Sequence, residues 1–455
     1  MTKIQNPQVQ ARRAAVSSFA GAVIEWYDFL LYGLVAATVF NTQFFPDVSP
    51  AIGVLAAFAT FGVGFLFRPL GGLVFGHYGD RIGRKRTLVI TMTIMGFATA
   101  GIGMIPNFET IGWLAPLALV LLRAVQGFAV GGEWGGAALM AVESAPKGKK
   151  ALYSSGVQIG FSVGLMLATA FVTIMGNVAG DEFVEWGWRI PFISSIVLVG
   201  VGLIIRSKVV ETFEAPAEEV RAEGKHKLPI VNAIKENPKA FFQIIGLRLI
   251  ELFTMYIVTT FALSYSVNTL GMDNSFMLNI GLIVGAIGMI SIPTFAYLSD
   301  RFGRRKIYLA ASVIGVLSSV PFFIFLEAGS LVGVIVFSIL LVNVAHDMAV
   351  SVQQPLITQM FGAEHRNSGA GVGYQVASAI AGGFTPFIAA ALVGFGGGSW
   401  YLVAAYLAAG CLISGLVAYF MKSSGMEDAP DIADERSALS IPDDASELAG
   451  RVSQS

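Results

Sequence analysis

Twelve apolar runs, each about long enough to cross a bilayer, dominate this 455-residue chain. A helix needs roughly 20 apolar residues to span the hydrocarbon core, and runs of that kind lie near 17–40, 51–77, 87–105, 113–142, 153–175, 190–206, 240–266, 276–298, 307–326, 331–360, 368–392 and 400–421. Only 13% of residues are charged, against about a quarter in soluble domains, so the bilayer is the expected solvent. The fold class that follows is an all-α integral membrane protein. The single Cys411 excludes an internal disulfide and a cysteine-based zinc site. The histidines are scattered, so no metal site and no cofactor is expected. A net charge of -1 gives no reason to expect nucleic acid as a partner.

The runs fall into two sets of six. GHYGDRIGRKR, residues 76–86, returns 220 residues later as AYLSDRFGRRK, residues 296–306, each time at the basic end of an apolar run. A duplicated turn of this kind suits a carrier whose two similar halves rock about a central site. The expected division is a tail at 1–16, a six-helix bundle at 17–206, a polar linker at 207–239, a second bundle at 240–421 and an acidic, disordered tail at 422–455. Twenty-five of the 29 Lys and Arg residues fall in the segments on one side of the membrane, and the opposite loops carry acids only. Basic residues are retained in the cytoplasm, so both termini are expected there.

Four arginines are left over. Arg189 follows Trp186 and Trp188 at a span's start and reads as an interfacial anchor. For Arg68, which precedes Pro69, snorkelling and a functional role are both open. Arg123 and Arg248 lie deep in the fourth and seventh spans. An ionisable side chain at mid-membrane costs about 2.5–3.5 kcal/mol on insertion scales, and such groups usually face a cavity or a partner. Glu25, Asp28, Glu133, Glu251 and Asp347 are the acids concerned.

Helical spacing puts Glu25 with Asp28, Arg248 with Glu251, and Arg123 with Gln126 and Glu133. Asn343, His346, Asp347 and Gln354 form a stripe on the tenth span, and Gln158 and Gln375 add amides from the fifth and eleventh. Tyr256 and Tyr374 are candidate pocket walls. Arg248 with Glu251 can also be read as a pair that neutralises itself for assembly, and His346 as either a proton relay or a satisfied buried imidazole. In the duplicated turns, Asp80 and Asp300 can accept bonds from helix N-terminal amides or arginines. Gly76, Arg81, Gly83, Arg84, Arg301, Gly303, Arg304 and Arg366 belong to the same gating set, with Glu143 placed to exchange partners.

GDRIGRKR and SDRFGRRK resemble the loop signature of the major facilitator superfamily in both halves. EWYDFLLYG, LRAVQGFAVGGEWGGAAL and ESAPKGKKALYSSGVQIG are similar to its metabolite:proton symporter branch, which includes carriers of oxoglutarate, citrate and proline or betaine. RLIELFTMYIVTTFALSYS, NVAHDMAVSVQQP and SGAGVGYQVAS are similar to the shikimate-carrying members. The resemblance extends to about Lys422. It implies twelve helices in two bundles, residence in a bacterial inner membrane, and proton-driven shikimate import by alternating access, with a monomer expected to suffice. By the same resemblance, Asp28 matches a first-helix acid that pairs with a fourth-helix arginine, here Arg123, giving the proton-coupling pair.

Two departures stand out. Ser299 replaces the glycine before the second Asp, which implies a weaker second latch, and Gln359 stands where relatives often have Glu. A carboxylate cargo with hydroxyls needs a cation and several amides. Arg123 or Arg248 is the expected carboxylate partner. Another organic acid, or a betaine-like zwitterion, is the alternative cargo. A transporter-like receptor is a remoter alternative, and an intramembrane enzyme lacks a convincing nucleophile and base.

Overall fold

The computed structural model describes residues 7–82, 84–132, 149–207, 238–360 and 366–421. Among them, eleven helices are long and apolar enough to cross a membrane, and the apolar Leu114–Val130 adds a seventeen-residue helix. The remainder of that fourth expected span, from residue 133, lies outside the described residues.

The first half contains α1 (Pro7–Thr38), α2 (Pro50–Ile82), α3 (Arg84–Met104), α4 (Leu114–Val130), α5 (Lys150–Ala179) and α6 (Arg189–Ser207). The second contains α7 (Pro238–Tyr256, continuing through Ile257–Phe261 and Ala262–Asn268), α8 (Asn274–Phe302) and α9 (Arg304–Glu327). It is completed by α10 (Leu331–Ser338, Ile339–His346 and Asp347–Gln359), α11 (Arg366–Ala377, Ser378–Gly382 and Thr385–Phe395) and α12 (Tyr401–Phe420). The first helix starts ten residues earlier than expected. Pro7 suits a first helical position, since its missing N–H would be unsatisfied there anyway.

Within the first half α1 packs on α5 and α6, and α2 on α4; within the second, α12 packs on α7 and α9, and α10 on α8. The halves meet where α5 lies along α8 and α2 along α11, two contacts related by a shift of six helices. Outward-facing Phe97, Val178, Val197, Ile290, Leu317 and Phe420 are exposed, as expected of a surface solvated by lipid tails.

Glycine lets α2 and α4 approach. An added Cβ at Gly127 would lie 1.8 Å from the Gly64 carbonyl oxygen, and one at Gly131 would lie 2.0 Å from that of Arg68. Gly127 and Gly131 are four apart, the spacing of small residues that permits close helix contact in membranes. Gly303, with φ 95°, ends α8 at the duplicated turn, where a side chain would be strained.

Three helices carry π-helical turns: Ile257–Phe261 in α7, Ile339–His346 in α10 and Ser378–Gly382 in α11. Each adjoins or contains a buried polar group, respectively Tyr256, Asn343 with His346, and Ser378. Such wide turns collect at functional sites.

Candidate functional site

At the end of the bundle that carries the duplicated motifs, Asp300 of α8 accepts hydrogen bonds from the backbone amides of Ala151 (3.2 Å) and Leu152 (3.0 Å) at the start of α5. An acid at a helix N-terminus satisfies orphan donors and complements the dipole. Arg304 stands 4.0 Å from the same carboxylate. Ser299 does not prevent this latch; its hydroxyl turns back to the Ala296 carbonyl at 2.9 Å. Arg301 lies over the Phe302 ring and outside the latch.

In the first half, Gly76, Asp80 and Arg81 occupy the last turns of α2, and Arg84 opens α3. Arg366 opens α11. Gly83, Glu133 and Glu143 lie outside the described residues, as do 208–237 and 422–455.

At the opposite end, Asn268 of α7 donates to the Ala37 carbonyl of α1 at 3.0 Å. Between the two ends, Gln158 reaches the Val350 carbonyl and Gln375 reaches that of Gly131, both at 3.5 Å and both from one half to the other. The halves are thus bridged at both ends and in the middle, an occluded arrangement. A cavity of about 10 Å³ remains between Leu34, Thr169, Val258 and Ile280, room for about one water.

A hydrogen-bonded chain runs through the core of the first half. Arg123 Nη1 donates to Gln126 Oε1 (2.5 Å), Gln126 Nε2 to Thr99 Oγ1 (2.8 Å), and Thr99 Oγ1 to Asp28 Oδ2 (2.8 Å). All four residues are fully buried. Asp28 and Arg123 are therefore joined through two intervening side chains rather than by direct pairing. The Arg123 guanidinium also lies 4.1 Å from the Phe29 ring centre and 4.2 Å from that of Tyr32, cation–π contacts that partly replace water. Its Nε and Nη2 make no hydrogen bond.

Arg248 is in the opposite condition. Glu251 takes its Nε (3.1 Å) and Nη2 (2.8 Å), the Tyr374 carbonyl takes Nη1 (2.7 Å), and Ser378 also accepts from Nη1. The guanidinium stacks on Tyr374 at 3.3 Å. An arginine so engaged must break its own bonds before it can hold a carboxylate, whereas Arg123 need break none.

His346, Asp347 and Asn343 form a separate cluster. Asp347 bonds His346 Nδ1 at 2.8 Å, Asn343 Nδ2 at 3.3 Å and the Ser291 hydroxyl of α8. His346 faces Phe161 of α5 at 4.9 Å. On α10, Asn343 and Asp347 turn toward α8, and Gln354 is buried further along the helix. Tyr256 of α7 packs against Phe61 and Phe65 of α2 at 5.4 and 5.8 Å, with its hydroxyl unpartnered.

Glu25 lies 3.7 Å from Arg68 Nη1. Arg189 donates to the Gly103 (3.1 Å) and Ile105 carbonyls that end α3 and lies over Trp188, so it serves as a helix cap. Thr99 was not signalled by the sequence, because one threonine in an apolar helix usually just bonds its own preceding turn.

This architecture can be compared with known proteins. Residues 18–386, and again 290–447, match the Major Facilitator Superfamily. The chain belongs to the major facilitator superfamily. The family is one of transporters rather than enzymes, and the protein is accordingly a multi-pass membrane transporter. It is 60% identical to the shikimate transporter of Escherichia coli K12 over 417 residues, covering 91% of this chain and 95% of that protein. It is 34% identical to the proline/betaine transporter of Salmonella typhimurium, covering 84% and 78% respectively. Among solved structures, the partially occluded, inward-open xylose transporter of E. coli superposes with a TM-score of 0.70 at 16% identity over 91% of this chain and 97% of that one. That likeness concerns the fold alone.

Proposed function

We propose that the protein imports shikimate together with protons across a bacterial inner membrane, with both termini in the cytoplasm. The 60% identity to a shikimate transporter supports the cargo, and the one-sided distribution of basic residues supports the orientation. The observation that carries the mechanism is the buried Arg123 guanidinium, with Nε and Nη2 unfilled and its third nitrogen tied to Asp28 through Gln126 and Thr99. A carboxylate accepts well from two guanidinium nitrogens. The unpartnered Tyr256 hydroxyl and Gln375 Oε1 suit the hydroxyls of the same substrate.

Thr99 gives the chain a way to sense the proton. Its one hydroxyl hydrogen has two acceptors, Asp28 Oδ2 at 2.8 Å and the Met95 carbonyl at 2.9 Å. While Asp28 is ionised, Thr99 donates to it. Once Asp28 is protonated, the carboxyl donates to the Thr99 oxygen, and the hydroxyl hydrogen turns to Met95. Asp28 then no longer offsets the charge on Arg123, and an anion at Arg123 becomes favourable. The coupling ion is the proton, and this scheme calls for no metal or cofactor.

Thr99→Val is expected to leave shikimate exchange measurable while cutting gradient-driven accumulation by about tenfold, the scale of one hydrogen bond to a charged group; Thr99→Ser should restore it. The proposal as a whole is tested by labelled shikimate uptake into proteoliposomes under an inward proton gradient. Accumulation above equilibrium is expected. Equilibration without accumulation would indicate a facilitator, and failure of shikimate alongside uptake of oxoglutarate, citrate or betaine would reassign the cargo.

A further inference from the structure

Arg68 has no place in the scheme above, yet it is only 3% exposed. Its backbone is pinned by the close approach of Gly131 to its carbonyl, and its side chain extends over Phe29 of α1, with the guanidinium carbon 3.9 Å from the ring centre. Arg123 stands 4.1 Å from the same centre. Two buried cations therefore share one phenyl ring. Arg68 Nη1 has a long contact of 3.7 Å with Glu25, while Nε and Nη2 make no hydrogen bond. Tyr256, reaching in from the second half, packs on Phe65 and Phe61, rings that also face Arg68 and Arg123 respectively.

Two like charges on one ring in a site shielded from water repel each other. Unfilled buried donors add a desolvation penalty. An anion placed against both relieves the two costs at once. We infer that Arg68 is a second guanidinium of the anion subsite, acting with Arg123 around Phe29 to select a substrate bearing a single carboxylate. The inference rests on the shikimate reading and gives its specificity a physical cause.

Around Phe29, the charges of the described residues fit one carboxylate per proton. Arg68 and Arg123 are balanced by Glu25 and Asp28, and Arg248 is neutralised by Glu251. With Glu25 ionised, a proton on Asp28 leaves one positive charge uncompensated, which one carboxylate neutralises. A dicarboxylate overshoots that balance. A betaine carries its own cation toward two guanidiniums and is repelled.

The test uses purified full-length protein, with shikimate and its uncharged methyl ester each competing against labelled shikimate, in wild type, Arg68→Gln and Arg68→Lys. In wild type the acid should bind well ahead of the ester. Arg68→Gln should weaken shikimate by about ten- to a hundredfold, the scale of a charge-assisted pair, and the ester by less than about threefold. Arg68→Lys should fall between them, because it keeps the charge and loses the planar fork.

Equal losses for acid and ester would mean that Arg68 only holds the helices in place, and an unchanged preference would remove it from the subsite; either result overturns the inference. Thermal melting of each variant reports whether it is folded, and if Arg68→Gln shows no transition, Arg68→Lys carries the same comparison. If wild type binds neither compound, the shikimate reading itself fails. If wild type binds the acid and Arg68→Gln discriminates as well as wild type, only the role of Arg68 fails.

Discussion

Arg123→Gln is expected to weaken shikimate binding by at least about a hundredfold and to abolish concentrative uptake. Two charge-assisted hydrogen bonds to a carboxylate, at about 1.5–3 kcal/mol each, account for a loss of that size. The change also acts on the resting protein. Gln126 Oε1 loses its donor, and Asp28, fully buried, loses the positive charge at the other end of its chain. Protonation of Asp28 then has no guanidinium to act on, so the variant should be unable to couple the proton to the substrate. Binding measured by displacement of labelled substrate, set beside uptake in vesicles, separates the two effects. Arg248→Gln should behave differently, because Arg248 is already filled by Glu251, Tyr374 and Ser378.

Gly131→Val should be the most damaging packing change. A Cβ there meets the Arg68 carbonyl oxygen at 2.0 Å and the Gly72 nitrogen at 2.6 Å. Both are backbone atoms, so no rotamer can relieve the overlap, and α2 must separate from α4. Overpacking costs roughly 3 kcal/mol or more when the surroundings cannot yield. The separation also displaces Arg68 from Arg123, since they sit on the two helices forced apart. Loss of the monodisperse peak in detergent, or a large fall in melting temperature, is the expected reading, with Gly131→Ala milder. A Gly131→Val protein that melts like wild type would show that the two helices are not held at this distance.

The spans were legible in the sequence because apolar length fixes them almost alone. Residues three apart on one helix were equally readable: Arg248 with Glu251 and Arg123 with Gln126 meet as their spacing requires. Contacts between helices were not, because rotation about each helix axis decides which side chains face one another. The family resemblance implied that Asp28 pairs with Arg123, but the link through Gln126 and Thr99 depends on how α3 is turned. On α10, Asn343 donates to the Val284 carbonyl and Asp347 accepts from Ser291, both on α8, partners that depend on how α10 is rotated against α8. The Asp300 latch was readable as chemistry, an acid able to meet helix N-terminal amides. That Ala151 and Leu152 would supply the amides follows only from the packing of α5 on α8.

The two halves are similar in sequence at the turns but not in their polar cores. The first holds a continuous chain from Arg123 to Asp28. The second holds a saturated arginine, a separate His346–Asp347 cluster and all three wide turns described. That division suits a carrier in which one half carries the charge switch and the other reshapes around the cargo.

The measurement that bears most directly on this account compares two activities of Asp28→Asn in proteoliposomes: exchange of internal for external shikimate, and accumulation driven by an imposed proton gradient. An asparagine at this position still accepts from Thr99 but cannot change charge. Exchange should persist while accumulation falls to equilibrium. An Asp28→Asn protein that still concentrates shikimate in response to the gradient would place the proton elsewhere and contradict the account.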